Sequence, residues 1–419
     1  MKKVLCLLMA VTMLLGLASF ASAGDSEPIT ITFWNGWTGS DGDVLIEKVD
    51  EFNQSNPYGI TVEMDINAEF QTKIAASFAA DGGPTIILGA SSYADMYKDY
   101  LIDMNGIFSA TPLKKDDFIT SYLDTCTRGD ILYAVPFQVT GRYMYWNKDL
   151  FTAAGLDPET PPATYDQWAE FASKITNEDM NVFGSGIAYN GIFTNLQLLQ
   201  RMGGLFVDYD ADGKLKANLA GNAGYAYFLN WLKGMIDAGD NPVESDTESM
   251  FKAGQIGIMP DGAWFSAGAD AAGINYGVAM LPYGDAGPMN PCSVTGFCVT
   301  KYATDAEKLA AYRFIDWWYE GDASTETTGT LAWSLQCGYP GYYLPAINDT
   351  RYQTSEKLAL MTCTDPNAAT TYMAPIAFTN TYLLATEVVE AMVEDVVIDS
   401  QDANVALDNA QAAAEPLVN

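Results

Sequence analysis

Residues 136–156 read PFQVTGRYMYWNKDLFTAAGL. Pro136 bounds an apolar run that leads into Tyr143-Met144-Tyr145-Trp146, a group rich in strand-forming aromatics. Asn147-Lys148-Asp149-Leu150-Phe151 then turns into a short helix, which Asn147 can cap and Gly155 can end. The stretch predicts a strand that runs straight into a capped helix. One side chain is out of place in a buried strand: Gln138, polar between Phe137 and Val139.

Upstream, strand and helix patterns alternate. Ile29 to Trp34 is β-branched and alternating, and Asp43 to Phe52 carries Val44, Ile46, Val49 and Phe52 at helical spacing. Thr61 to Ile66 reads as a strand, Phe70 to Ala80 as a helix, Thr85 to Leu88 as a buried strand, and Ala94 to Tyr100 as a helix. Downstream, Thr164 and Gln167 form a capping-box pattern, followed by Trp168, Phe171, Ala172 and Ile175 on one helical face. Residues 225 to 236 read as a buried helix, Asn275 to Pro282 as a strand, and Ala306 to Tyr319, Val388 to Val397 and Ala403 to Ala414 as helices. Such alternation predicts an α/β fold.

The chain begins with Lys2 and Lys3, an apolar run Val4 to Leu17 too short to span a bilayer, and Ala21-Ser22-Ala23 before Gly24. This predicts a cleavable signal peptide over residues 1–23 and a soluble, exported, periplasmic protein with no membrane insertion. The net charge of −32 becomes about −34 without Lys2 and Lys3, which argues against nucleic acid. With 49% hydrophobic and 12% aromatic residues, 419 residues can build packed cores of two lobes.

There is no histidine. Ser-His-Asp and Cys-His catalysis are thereby excluded within the chain, and so is zinc held by histidine. No catalytic group, metal or cofactor is expected. Five cysteines follow the leader: Cys126, Cys292, Cys298, Cys337 and Cys363. Cys292 with Cys298 and Cys337 with Cys363 are the local pairing options, against buried unpaired thiols. Asp208 to Gly213, DYDADG, matches half a calcium loop, but its closing position falls on Leu219, so a turn at Asp212-Gly213 is the better reading.

The blocks FWNGWTGSDG (33–42), NPYGITVE (56–63), FAADGGPTIILGASSYADMYKDYLIDMN (78–105), the 136–156 stretch, the Pro161-Pro162-Ala163-Thr164 helix start and MFKAGQIGIMPDGAW (250–264) occur in order. Together they resemble the extracellular solute-binding proteins of family 1, the maltose-binding-protein-like sugar-capturing components of ABC importers. The resemblance covers nearly all of the chain after the leader. It implies a two-lobed periplasmic-binding-protein fold (type II) with the lobes joined by hinge crossings. The first lobe would hold residues 24–137 plus 276–322, the second 138–275 plus 323–419. NYGVAMLP (275–282) would be the strand returning to the first lobe. A partner set also follows from the resemblance: a small-molecule sugar, the permease subunits of an ABC transporter, and a monomeric state.

Sugar binding needs flat aromatic faces for C–H patches and amide, carboxylate or hydroxyl groups for hydroxyls. The loop after the first strand offers Trp37 and Asp41, although Asp41 can equally cap the next helix. Ser92 follows the strand ending at Leu88, where it can bind or cap. Gln138 opens the crossing segment, Asn190 sits in an Asn-Gly turn, Trp264 ends the 250–264 block, and Tyr339 lies in the Gly/Pro-rich loop 338–345. The resemblance places ligand contacts at or near these positions. A glycerol-phosphate-type ligand would need a convergent Lys or Arg cluster, and none of these loops contains one, which favours a neutral sugar. A secreted carbohydrate-active enzyme using an Asp/Glu pair is the reading from a different class, and a chemoreceptor ligand sensor would use the same cleft.

Overall fold

The computed structural model describes residues 28–243, 246–285, 287, 291–362 and 383–418. The leader 1–23 and Cys363 lie outside them. The chain runs β1 (Ile29–Asn35), α1 (Ser40–Ser55), β2 (Ile60–Ile66), α2 (Phe70–Ala79), β3 (Ile86–Ala90), β4 (Val135–Gly141), β5 (Tyr143–Asn147) and α3 (Lys148–Ala153). It continues with α4 (Tyr165–Ile175), β6 (Phe183–Ser185), α5 (Ile192–Gly203), α6 (Ala223–Asp237), β7 (Ile256–Asp261), α7 (Phe265–Ala271), β8 (Tyr276–Met280) and β9 (Cys292–Val299). The last main helices are α8 (Asp305–Glu320), α9 (Gly329–Cys337), α10 (Glu390–Val397) and α11 (Ala403–Val418).

Two sheets organise these elements, one per lobe. The first has strand order β2-β1-β3-β9-β4, and the second β8-β5-β7-β6. In the first, β1 pairs in parallel with β2 and β3, while β9 runs antiparallel to β3 and β4. The expected α/β architecture with two lobes is therefore present.

The 136–156 stretch forms the predicted strand and helix, with one interruption. β4 belongs to the first sheet through Gly141, and β5 begins the second at Tyr143. Arg142 alone separates them. Tyr143, Met144, Tyr145 and Trp146 are all buried. Tyr143 and Tyr145 join one core and Met144 and Trp146 the other, so β5 is covered on both faces. Asn147 Oδ1 caps α3 by accepting from Asp149 N at 3.0 Å and Leu150 N at 3.1 Å, and Gly155 follows the helix with φ 74°. At α4, Thr164 Oγ1 accepts from Gln167 N at 3.1 Å, but Gln167 Oε1 reaches back to Ala163 N rather than to Thr164.

The lobe boundaries differ from the expectation in three places. The crossing falls at Arg142 rather than after residue 137, because Gln138 to Gly141 still pair with β9. The 275–282 strand is not the return: β8 pairs with β5 from Tyr276↔Asn147 to Met280↔Tyr143, and β9 makes the return. Residues after 322 do not all join the second lobe either. α9 packs on α1 and α8, while α10 and α11 cover the second sheet's helices. Apolar alternation fixes that a segment is a strand, not which sheet receives it.

Cys292 and Cys298 sit six positions apart on β9, about 20 Å along an extended strand at ~3.3 Å per residue. They cannot pair with each other. Cys126, Cys298 and Cys337 are buried thiols. The Asp212-Gly213 turn joins the short strands Val207–Tyr209 and Leu215–Ala217 as a hairpin, as read from sequence.

Candidate functional site

The loop after β1 places Trp37 against β4. Its indole Nε1 donates to Gln138 Oε1 at 3.2 Å, and its backbone N–H donates to Asn35 Oδ1 at 3.0 Å. Gln138 Nε2 donates in turn to Thr140 Oγ1 at 2.9 Å. Both ends of the amide are therefore used, which is what makes a glutamine tolerable at 5% exposure inside a strand.

A β-bulge explains how Phe137 and Gln138 both serve this loop. Gln138 lies opposite Thr295 while Pro136 lies opposite Gly296, so Phe137 is the extra residue of the pair. Consecutive strand residues ordinarily face opposite sides, and a bulge re-aims one of them. Trp37 meets the Phe137 ring edge-on at 5.9 Å. Phe137 touches Trp333 at 4.7 Å, and Trp333 stacks on Tyr339 at 5.5 Å and 7°. Tyr339 Oη donates to Asp41 Oδ2 at 3.4 Å and also bonds Gln138. Four sequence-selected residues, Trp37, Asp41, Gln138 and Tyr339, thus form one hydrogen-bonded group drawn from 298 positions of chain.

Asp41 combines the two roles read for it. Its Oδ1 accepts from Gly42 N at 2.9 Å in the first turn of α1, leaving Oδ2 for Tyr339. Burial raises its pKa, opposed by the Gly42 N–H and then by the Tyr339 hydroxyl. A cavity of about 450 Å³ opens beside it, walled by Trp37, Asp41, Phe70, Gln71, Tyr93 and Thr295 among others, with no Lys or Arg in the wall. Tyr93, not Ser92, lines this cavity. Ser92 is exposed, its hydroxyl caps nothing, and its carbonyl accepts from Asp95 and Met96 N–H groups.

The remaining two residues lie on the second lobe. Asn190 is exposed in the turn before α5, outside the Trp37 group. Trp264 stands at the start of α7, and the Arg142 guanidinium lies over its ring at 4.7 Å. Arg142 Nε donates to Thr194 Oγ1 at 2.9 Å. Arg142 is the single residue between the two sheets, so this pair lies at the junction of the lobes. Close behind is Asp261, 7% exposed at the end of β7. Its pKa is raised, first by burial and then by Glu248, which also hydrogen-bonds it; Arg142 opposes the rise. Gly262 leaves room for Trp264: a Cβ there would meet the indole at 2.1 Å.

Sequence reasoning missed Arg142 and Asp261, and of the adjacent Ser92 and Tyr93 it selected Ser92. Arg142 had a visible signal, a lone charge between Gly141 and Tyr143 in an otherwise apolar run. Tyr93 adjoins the selected Ser92, and only the backbone direction after β3 decides which of the two faces the cavity. Asp261 had no signal among 53 acidic residues.

The site thus presents aromatic faces and paired acceptors on a two-sheet frame. Known proteins share that frame. A binding protein of Brucella abortus is 27% identical over 363 residues, spanning 80% of this chain and 83% of its own. The cyclic alpha-maltosyl-1,6-maltose binding protein of Arthrobacter globiformis superposes with TM-score 0.73 at 24% identity, over 93% of this chain and 99% of that one. UgpB of Mycobacterium tuberculosis, solved in complex with glycerophosphocholine, superposes with TM-score 0.77 at 19% identity, over 93% and 98%. These likenesses fix the fold. The sequence profile of bacterial extracellular solute-binding proteins matches residues 47–335, a span that begins in α1, holds β2 through α8 and ends within α9. By that match, and with the fold it requires in place, the chain belongs to the bacterial extracellular solute-binding protein family.

Proposed function

We propose that the protein captures a neutral sugar or oligosaccharide between its lobes and delivers it to the permease of an ABC importer. Trp37, Asp41, Gln138 and Tyr339 would hold it from the first lobe and Trp264 from the second. The carrying observation is the wall of the Asp41 cavity, which joins aromatic rings to a carboxylate and carries no cation. Hydroxyl groups satisfy such a carboxylate, and ring faces cover sugar C–H patches. A ligand gripped from both sides favours the closed arrangement of the lobes, which is what a permease can read. Export through the leader and a monomeric state accompany this reading, and binding without turnover is its chemistry.

A phosphate fits less well. It would meet Asp41 with no Lys or Arg beside it in the wall. The guanidinium of Arg142 is engaged with Trp264 and Thr194 and lies near Asp261. Residues 363–382 contain neither Lys nor Arg, so they add no cation.

Calorimetry against maltose, maltotriose, mannobiose, glycerol 3-phosphate and glycerophosphocholine tests the proposal, with the sugars recovered and analysed afterwards. Saturable binding of an intact sugar is expected. Binding of the phosphates alone, or cleavage of the sugar, would overturn it.

A further inference from the structure

A second cavity, of about 490 Å³, lies on the second lobe apart from the residues above. Thr164, Tyr165 and Asp166 of the α4 start line it, with the first residues of α6, Tyr227 further along α6, and the loop Tyr283-Gly284-Asp285 after β8. Tyr283 is 56% exposed and Tyr227 38%, both large aromatic rings left open to solvent. Tyr227 Oη donates to Asp166. Tyr165 lines the cavity but is 3% exposed, and its buried hydroxyl has no hydrogen-bond partner among the described residues.

The chemistry of the walls selects by elimination. Asp166 and Asp285 disfavour an anion. The first turns of α4 and α6 present backbone N–H groups and the positive ends of two helices, which disfavour a cation. Donors, acceptors and aromatic faces together suit a neutral group rich in hydroxyls. Gly284 N donates to Arg201 O at 3.0 Å, which ties the tyrosine-bearing loop to α5 and sets the third wall.

We infer that this cavity, framed by Tyr165, Asp166, Tyr227, Tyr283 and Asp285, is a second saccharide site, built from the starts of α4 and α6 and the loop after β8. It would take one sugar unit against the tyrosine rings, independently of the site at Gln138.

Native mass spectrometry of the full mature chain with maltotriose, cellotriose and mannotriose, titrated to millimolar concentration, counts the sugars bound. Two are expected with at least one of the three probes. Tyr283→Ala and Asp285→Asn, both at exposed positions, should each weaken the second uptake roughly tenfold and leave the first unchanged. Gln138→Ala should do the reverse. No uptake that either surface variant weakens, with any of the probes, overturns the inference. If the interlobe reading alone is wrong, the single remaining uptake is lost in the surface variants and indifferent to Gln138→Ala.

Discussion

The indole of Trp37 and the amide of Gln138 are joined across 101 positions of chain by one hydrogen bond of 3.2 Å. The bond couples the loop after β1 to the strand that carries the chain towards the other lobe. Gln138→Ala removes it and frees the Trp37 ring. Sugar affinity should fall roughly fivefold to tenfold, the equivalent of about 1–1.5 kcal/mol, with little loss of melting temperature. Calorimetry and thermal melts check this, and an unchanged affinity would move the site elsewhere.

Tyr339→Phe removes the hydroxyl that Asp41 accepts from. That bond lowers the pKa of Asp41, while burial raises it. Without it the carboxylate takes up a proton at higher pH, so it ceases to accept from sugar hydroxyls sooner on acidification. Affinity should fall with decreasing pH in both proteins, and the fall should begin at higher pH in the variant. Parallel titrations of Kd against pH show whether the two curves separate in that direction.

Asp261 gives a stability signature. Burial and Glu248 push its pKa up to about 7 from 3.8. In the window between those values the folded chain holds a proton that the unfolded chain releases. The extra stability is therefore full below about pH 4 and is lost as pH rises to about 7. The melting temperature of the wild type relative to Asp261→Asn should decline across that window and stay level above it. A difference that rises with pH would contradict the assignment.

Gly262→Ala should displace Trp264, since the added Cβ would stand 2.1 Å from the indole. Its cost is expected at about 1–3 kcal/mol, from overpacking rather than backbone strain. Near-ultraviolet circular dichroism should change as the ring leaves the Arg142 guanidinium, and binding should weaken with it.

The thiols provide a check on the strand assignment. Burial pushes Cys126 up to about 12 and holds Cys298 well above the usual thiol range. Both should resist a thiol reagent until the protein is unfolded. A non-reducing digest should show no bond between Cys292 and Cys298.

The sequence made the local elements legible because their signals are local. Asn147 capping α3, the Tyr143–Trp146 core and the hairpin turn at Asp212-Gly213 each depend on neighbours in the chain. Trp37 and Gln138 were legible for another reason: each is a residue type that its surroundings do not explain. The bulge at Phe137 left no such mark, and it decides which side chains face the loop. The sheet that receives Tyr276–Met280 was equally hidden, because pairing with Tyr143–Asn147 or with the first sheet would demand the same alternation. Arg142 could have been read and was passed over, its charge hidden among aromatics.

The place of β9 in the first sheet has a temporal consequence. It lies between β3, which ends at Ala90, and β4, which begins at Val135, yet it comes from Cys292–Val299. A ribosome must add a further stretch longer than most whole domains before that gap can be filled. Until then the nascent chain carries two unsatisfied strand edges in its first lobe, with Phe137 and Trp37 uncovered. Such a chain is slow to commit to its native form and exposes sticky surface meanwhile. That delay would suit a polypeptide that has to be threaded through a narrow pore before it folds.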